Sequence, residues 1–304
     1  MSEKEKLRIL PIVNKLNIVH LFSKIGLSNT FAENGINTPN YFVANNEDDI
    51  IKAFCSFKGG FFIKLDSSGG GLGVFPCDSR DQFEEIKHKI AFPVLVQEKI
   101  EGDLIDLSGF FQNGKLVYFG YAEILESRPD KFGPSVLRRY HKLSGIDVEI
   151  FDRLGELGQA LGANGFVNIG SVRSAEDGKI YFIEADMRPT AWVEHQKFFE
   201  EDPAVRIKDY FLYGRTLSRD DIVGDMTTSG AESTIVIPYF HRMDRCEIIE
   251  NKYNCHSFRT DYLDKKVEKW WHRPLAELFL TLGRVFHVGT VRTIGDRIWD
   301  TYIE

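Results

Sequence analysis

This chain lacks the features that mark several large classes of protein. Its 304 residues carry a formal net charge of −7, whereas nucleic-acid-binding domains usually present a concentrated basic face. No apolar run approaches the roughly 20 residues needed to span a bilayer, and the charged N-terminus has no signal-peptide core. We therefore expect a cytoplasmic protein that binds neither nucleic acid nor membrane.

Cysteine is scarce, and its spacing argues against two kinds of site. The four cysteines are Cys55, Cys77, Cys246 and Cys255, and none stands in a C-x-x-C pair. Neither a zinc knuckle nor a redox pair is predicted, and we expect reduced thiols. The chain is 43% apolar, which is enough for one large core or for two to three compact lobes.

The most informative segment that is present is a β-branched and aromatic run opening onto a serine-glycine loop. The run covers Phe61 to Leu65 and includes Lys64, and the loop covers Ser67 to Gly73. Glycine lets backbone N–H groups approach anionic oxygens, and the lysine adds an ammonium beside them. The pattern favours a phosphate-covering loop. A plain hairpin turn is the alternative, because neither P-loop nor G-x-G-x-x-G spacing is present.

A second polar group ends a predicted strand. In the segment Ile180 to Pro189, alternation places Glu184 and Asp186 on one side, with Arg188 just beyond. Magnesium prefers one or two carboxylates together with phosphate oxygens and water, and arginine suits a phosphoryl group in transfer. The pattern indicates a nucleotide-bound metal, with a solvated strand end as the alternative.

Apolar periodicity and turn residues predict a mixture of helices and antiparallel strands. Helices are predicted over 18–33, which ends at Asn34-Gly35, and over 152–162, 275–286 and 291–302. Strands are predicted over 94–99, 104–111, 116–124, 167–171 and 180–184, the last two joined at Asp177-Gly178.

Taken together, these motifs resemble the ATP-grasp superfamily. Lys24 lies 11 residues before Gly35, which opens a segment similar to the family's G-[IV]-x-x-P entry. Lys64 and the loop after it are similar to the second lysine and the phosphate-covering loop. The segment Val94 to Ile100 is similar to the hinge strand. Glu184 to Arg188 is similar to the E-x-N-x-R metal strand, with Asp186 in place of asparagine, and the resemblance runs from about Lys24 to His195.

The resemblance implies an α+β ATP-grasp fold in which two α+β lobes with antiparallel sheets clamp ATP, followed by a mostly helical C-terminal region. The expected boundaries are a short N-terminal segment (1–21), a lobe with the glycine-rich loop (22–101), a lobe with the metal strand (102–200) and the C-terminal region (201–304). The apolar stripes of the last two helices must be buried on the body or against a second copy, and the family favours a homodimer.

The resemblance also implies ATP and Mg²⁺ as cofactors and a set of site residues. The residues expected to hold ATP are Lys24, Lys64, Ser67, Ser68, Gly69, Gly70, Gly71, Glu98, Lys99, Ile100 and Asp106. Among them Asp106 is expected to hold the ribose, with Asp103 as the alternative. Glu184 and Asp186 are the expected metal ligands. Arg188 and Arg173 are the expected catalytic residues.

Further charged residues are candidates for holding the substrates. Arg128, Arg138 and Arg139 flank a loop between the central sheet and the next helix. Arginine suits bidentate carboxylate recognition, and solvated surface arginines are the alternative. Glu194 and His195 lie in a segment that resembles the V-E-H of carboxylase members, with two extra residues. A polar helix start is the alternative there.

The sequence departs from the family pattern at two further places. Most members carry another metal-binding acid 12 to 13 residues before the glutamate, where this chain has Val172 and Ser171. Either Asn168 or a water replaces that acid, or the site holds one metal ion. Only 23 residues precede Lys24 here, fewer than the family's usual domain before that lysine, so we expect the region after Glu200 or a second subunit to complete the acceptor site.

The implied function is that of an ATP-dependent carboxylate–amine ligase. Such an enzyme activates a small-molecule carboxylate as an acyl phosphate and joins it to an amine, forming an amide or peptide bond and releasing ADP and phosphate. Two alternatives remain: an ATP-grasp kinase that phosphorylates a small molecule, and a degenerate nucleotide-binding regulator.

Overall fold

The computed structural model describes residues 10–69, 71–127, 135–190, 193, 202–223, 233–236 and 258–259. The chain divides into two compact units, Met1–Ile235 and Val236–Glu304. The elements that carry the candidate site all lie in the first unit.

Helices and strands alternate irregularly along the described chain. The helices are α1 (Lys24–Glu33), α2 (Glu47–Ser56), α3 (Arg80–Ile86), α4 (Val148–Leu161), α5 (Pro203–Tyr213) and α6 (Arg219–Val223), with short 3-10 helices at Lys15–His20, Lys87–Lys89 and Leu143–Gly145. The strands are β1 (Tyr41–Ala44), β2 (Phe61–Leu65), β3 (Val74–Cys77), β4 (Val94–Glu98), β5 (Gly102–Gln112), β6 (Lys115–Ser127), β7 (Ser135–His141), β8 (Gly165–Ser174), β9 (Ile180–Asp186), β10 (Ser233–Val236) and β11 (Phe258–Arg259). No helix in these ranges is long and apolar enough to cross a membrane.

The first sheet has the antiparallel order β1-β4-β2-β3. Phe61, Ile63 and Val96 pack in its core with Ile50 of α2 and Phe83 of α3. The glycine-rich loop connects β2 to β3 and therefore lies at one end of this sheet.

The second sheet has the order β10-β7-β6-β5-β8-β9 in the first unit. Apolar residues of α4 recur at helical spacing (Leu154, Leu157, Leu161) and pack with Phe31 of α1 and Ile105 of β5 in one core. Alternation along the strands therefore sends the other side chains, many of them polar, to the opposite face. We call this opposite face the polar face; it carries Asp106, Asn168, Glu184 and Asp186.

Two predicted elements differ from those observed. The single helix predicted over 18–33 is a 3-10 helix followed by α1, because Ser23 adopts extended backbone and its side chain accepts a hydrogen bond from the Gly26 N–H, which starts a new helix. Arg138 and Arg139, predicted to flank a loop, lie inside strand β7. The helices predicted over 275–286 and 291–302, together with Cys246 and Cys255, lie outside the described residues.

Candidate active site

The start of α1 is tied to the end of β2 by three hydrogen bonds around Asp66. The Asp66 carboxylate accepts from the Ser23 hydroxyl at 2.7 Å and from the Ile25 N–H at 2.9 Å. The Lys24 N–H donates to the Asp66 carbonyl at 3.1 Å. These contacts fix Lys24, the first residue of α1, beside the serine-glycine loop.

The Lys24 ammonium reaches that loop directly. It donates to the carbonyl and, at 3.0 Å, to the hydroxyl of Ser68. Burial lowers the pKa of Lys24, and the carboxylates of Glu184, Asp186 and Asp66 oppose the shift. The loop residue Ser67 donates to the Phe22 carbonyl at 2.9 Å, so its position also depends on the start of α1.

The loop between Ser67 and Gly73 contains a turn that only glycine adopts easily. Gly71 has φ +78°, in the left-handed region. The Leu72 N–H donates to the Gly69 carbonyl at 3.3 Å, and the Val74 N–H donates to the Gly71 carbonyl at 3.1 Å. Gly70 lies outside the described residues.

Lys64 projects from β2 with only 8% of its surface exposed. Its ammonium donates to the Gln97 amide oxygen at 2.6 Å. Burial lowers the pKa of Lys64 to about 8; the Glu184 carboxylate opposes this shift and the Lys24 ammonium adds to it. A nearby anion would therefore be strongly attracted to this poorly hydrated cation.

Glu184 and Asp186 lie on the polar face, two residues apart in β9. Part of the Glu184 side chain is exposed to solvent, and many protein atoms surround its carboxyl group. This partial desolvation raises the pKa of Glu184, as does Asp186, while Lys64, Lys24 and Arg188 lower it. The structure thus brings both predicted lysines together with both predicted metal ligands.

A gap on the polar face lies beside the two carboxylates. Gly170 of β8 is the register partner of Glu184, and it has no side chain. A Cβ at Gly170 would sit 3.5 Å from the Glu184 Cβ and 3.9 Å from its Oε2. The missing side chain at Gly170 leaves room for about a methyl group there, and the two neighbouring carboxylates are hard oxygen ligands of the kind magnesium prefers. Within the described ranges, no group of three or more His, Cys, Asp and Glu residues is placed to hold a metal.

Arg188 follows the two carboxylates and is mostly exposed. Its guanidinium donates to Asp186 Oδ2 at 2.6 Å, and its side chain is 61% exposed. An exposed guanidinium at the end of the metal strand remains accessible to an incoming anion.

Asp106, the expected ribose ligand, lies buried in β5 and already has partners. Arg138 Nη1 is 3.2 Å from Asp106 Oδ1, and Arg138 Nη2 donates to Oδ2 at 3.2 Å. The Asn168 amide nitrogen is 3.0 Å from each carboxylate oxygen. Ser135 Oγ in turn accepts from Arg138 Nε at 2.6 Å. Arg138, one of the candidate substrate residues, is thus paired in the interior of the sheet.

The expected adenine-binding residues lie at the end of β4. The Glu98 carboxylate accepts from the Asn40 amide at 2.7 Å, and the Glu98 N–H donates to the Asn40 carbonyl at 2.8 Å. The Lys99 N–H donates to the Gly60 carbonyl at 3.2 Å. Ile100 follows at the edge of the first sheet, two residues before β5 begins.

Several expected site residues do not join this group. Arg173 is the register partner of Asp103 in β8 and β5, and alternation places both on the face opposite Asn168 and Gly170. Arg139 lies on that same opposite face, where it pairs with Glu123 at 3.3 Å. Three further candidates, Arg128, Glu194 and His195, lie outside the described residues.

The sequence interpretation missed two residues that shape the site. Gln97 contacts Lys64, and Asp66 anchors Lys24. Gln97 is a polar residue in the otherwise apolar run from Val94, which is a usable signal for a buried hydrogen bond. Asp66 gives no such signal, because its partners come from a distant helix.

A separate cleft of about 570 Å³ lies between the 35–41 loop, α4 and the start of β9. Neither the two lysines nor the two carboxylates of the site line it. Charge and geometry place the candidate site on the polar face instead of in this cleft.

Comparison with solved structures identifies the architecture. The biotin carboxylase domain dimer of Hydrogenobacter thermophilus 2-oxoglutarate carboxylase, crystallised with magnesium ADP, ADP and bicarbonate, matches with a TM-score of 0.53 and 15% identity over 66% of this chain and 48% of that one. Phosphoribosylamine–glycine ligase from Thermotoga maritima matches with a TM-score of 0.51 and 16% identity over 67% of this chain and 60% of that one. The N5-carboxyaminoimidazole synthetase of Staphylococcus aureus, complexed with ADP, matches with a TM-score of 0.54 and 14% identity over 77% of this chain and 61% of that one.

The match extends over about half to three fifths of the length of those proteins. No family model and no curated protein matches this chain. All three solved structures are ATP-grasp proteins, and each covers about two thirds of this chain or more. We conclude that the chain has the ATP-grasp fold.

Proposed function

We propose that this protein is an ATP-dependent ligase that activates a substrate carboxylate as an acyl phosphate, joins it to an amine and releases ADP and phosphate. The observation that carries the proposal is the meeting of four charges. The Glu184 carboxylate acts electrostatically on the ammonium groups of both Lys24 and Lys64, and the Asp186 carboxylate acts on Lys24 and on Glu184. Cations facing carboxylates, with a glycine loop beside them, match a metal-bound phosphate chain.

The two lysines bind and orient the phosphates in this proposal. Lys64 is poorly hydrated and so gains more from an anion than an exposed lysine does. Lys24 holds the loop through Ser68 and adds a second positive charge. Together they offset the negative charge that builds up during phosphoryl transfer.

Glu184 and Asp186 would hold magnesium beside the gap at Gly170. Bound there, the ion supplies charge neutralisation at the phosphate oxygens. Arg188 stays exposed at the end of the same strand and would stabilise the oxyanion or the departing phosphate. None of these residues needs to act as a nucleophile.

The proposal is tested by turnover with defined pools of acids and amines. The full chain, ATP and Mg²⁺ are incubated with carboxylic acid and amine pools, and ADP and inorganic phosphate are both measured. Release of both products that requires an acid and an amine supports the ligase, and Glu184→Gln should abolish it. ADP without phosphate, together with a phosphorylated product, would indicate the kinase instead. Nucleotide binding without any turnover would indicate the regulator.

The homodimer and the cytoplasmic location stay predictions. The dimer is checked by light scattering of the purified full chain, for which a mass of twice 34.9 kDa is expected. The roles of Arg128, Glu194 and His195 in binding substrates also stay predictions. Once the substrates are known, alanine variants test them, and a raised KM for the acid or the amine is expected.

A further inference from the structure

The amide of Asn168 has a defined orientation. Its nitrogen lies 3.0 Å from both oxygens of the Asp106 carboxylate. An ionised carboxylate only accepts hydrogen bonds, so the NH₂ group of the amide must face Asp106. The carbonyl oxygen is on the other branch of the same amide and is therefore directed away from Asp106.

The Asn168 side chain lies on the same face of the sheet as the two metal-strand carboxylates. Asn168 is the register partner of Asp186, and Gly170 is the register partner of Glu184. Directly opposite residues of antiparallel strands have Cβ atoms about 5 Å apart on the same face. Asn168, Glu184 and Asp186 thus surround Gly170, which has no side chain of its own.

Asp106 is itself held rigidly. Arg138 pairs with both of its oxygens and is 6% exposed, while Asp106 is 8% exposed. Ser135 fixes the guanidinium from the far side. A buried ion pair of this kind strongly resists the loss of either partner, so the amide of Asn168 is oriented by a stiff chain of contacts.

We propose that the Asn168 carbonyl oxygen is an additional ligand for the divalent cation, and that Asp106 and Arg138 are the positioning residues that aim it. The inference rests on the proposed function, since it requires a nucleotide-bound cation at Glu184 and Asp186. An amide oxygen is a hard ligand suited to magnesium or manganese. It takes the place of the acid that is absent at Ser171 and Val172, and it gives Asp106 a role other than holding ribose.

The test uses Mn²⁺ as the probe with a non-hydrolysable ATP analogue and the full chain. Electron paramagnetic resonance gives the Mn²⁺ affinity, and electron-nuclear double resonance on protein labelled with ¹³C-asparagine detects direct ligation. Asn168→Leu, which keeps the size of the side chain but removes the oxygen, should weaken Mn²⁺ binding at least about tenfold. It should also remove the carbonyl coupling while the affinity for metal-free analogue stays within about twofold.

Three more variants separate ligation from folding. Gly170→Ala adds a methyl group at ordinary contact distances, so it should fold and yet reduce Mn²⁺ affinity by filling the gap. Gly155→Ala, at a helical glycine with open space around it, is the matched control and should bind like the wild type. The double variant Asp106→Asn with Arg138→Gln removes the ion pair without leaving a lone charge, and it should weaken the ¹³C coupling.

The outcomes separate this inference from the proposed function. A wild-type protein that binds no Mn²⁺–analogue complex would overturn both. Wild-type binding that Asn168→Leu leaves unchanged in affinity and spectrum would overturn this inference alone. A double variant that folds and keeps the wild-type coupling would remove the positioning role of Asp106 and Arg138.

Discussion

The buried Lys64 ammonium is the residue whose chemistry depends most on its surroundings. Its pKa is lowered from 10.5 to about 8, chiefly by burial. The group is therefore protonated below about pH 8 and neutral above it in the protein without nucleotide. Phosphates bind the protonated form, so nucleotide affinity depends on pH near the physiological range.

We predict that the affinity for a non-hydrolysable ATP analogue falls as pH rises from 7 to 9.5. Above the pKa of Lys64, binding must take up one proton, which weakens affinity by up to about tenfold per pH unit. Lys64→Arg should bind with a flatter pH profile because arginine stays charged, and Lys64→Met should bind poorly at every pH. Calorimetric titration at each pH checks this. Equal wild-type affinity at pH 7 and 9.5 would contradict the role of Lys64.

The Asp106–Arg138 pair makes a prediction about stability. Arg138→Met leaves Asp106 as a buried charge, so the free energy of unfolding should fall by about 3–5 kcal/mol. Combining it with Asp106→Asn should recover much of that loss. Urea unfolding measures both. Arg153→Met, which breaks exposed pairs with Glu149 and Glu156, is the control and should cost at most about 1 kcal/mol. Similar losses at the two arginines would show that the buried pair has no special role.

Residues at fixed spacing could be predicted from the sequence, and residues joined across strands could not. Lys24, Lys64, Glu184 and Asp186 were predicted because short motifs surround each of them, and the structure brings the four together. The partners of Asp106 could not be predicted, because Arg138 comes from a strand with no recognised pattern.

At the scale of elements, the junction between α1 and the end of β2 sets the position of Lys24. Ser23 caps the helix and also donates to Asp66, and Asp66 accepts from the Ile25 N–H. One carboxylate thus fixes both the helix start and the loop beside it.

We predict that Asp66→Ala weakens nucleotide binding although Asp66 is expected to contact no phosphate. The loss of the two hydrogen bonds to the Asp66 carboxylate should lower the free energy of unfolding by about 1–2 kcal/mol and let Lys24 move. Asn46→Ala, which removes the side chain that caps α2, is the control. Asn46→Ala should lower the free energy of unfolding by about 1 kcal/mol and leave the nucleotide affinity unchanged. Calorimetric titration and thermal unfolding give both quantities, and an equal loss of affinity in both variants would refute the coupling.

The 3-10 helix before α1 carries a buried histidine with consequences for stability. Burial lowers the pKa of His20 from 6.5 to about 4. Between these values the unfolded chain binds the proton and the folded chain does not, so stability is complete above pH 6.5 and falls as pH decreases toward 4.

We predict that His20 lowers the free energy of unfolding by about 2 kcal/mol between pH 7 and pH 5. In His20→Leu this part of the pH dependence should disappear, while His88→Gln, at an exposed histidine, should keep it. Urea unfolding at pH 5, 6 and 7 measures the slope. A variant without His20 that loses stability as steeply as the wild type would show that other groups are responsible.

Elements with strong local signals were predicted more completely than those that depend on capping or pairing. The strands on both sides of Gly178 and the helix that became α4 follow alternation and helical spacing, and the structure contains them. The break at Ser23 was missed because a serine inside a periodic apolar pattern can cap or simply continue a helix. Strand β7 was missed because Arg138 and Arg139 were interpreted as residues flanking a loop. In the structure each pairs with an acidic residue on its own face of the sheet.

At the scale of the whole molecule, two antiparallel sheets in one unit bring together charges that are far apart in the sequence. Lys24 and Glu184 are separated by most of the ATP-grasp region, yet each shifts the pKa of the other. The fold could be predicted because the order of several loose motifs is more specific than any one of them. The C-terminal region contributed no such order of motifs, so its prediction had only helical periodicity to rest on.

Nucleotide binding by Lys24, Lys64, Glu184 and Asp186 is tested most directly by a calorimetric titration of the full chain with a non-hydrolysable ATP analogue, with and without Mg²⁺. Lys64→Met and Glu184→Gln are measured beside the wild type. We predict magnesium-dependent binding by the wild type, little binding by Lys64→Met, and weakened magnesium dependence in Glu184→Gln. Absence of binding by a folded wild-type protein in both conditions would contradict the proposed function, because the lysines and carboxylates would then bind no nucleotide.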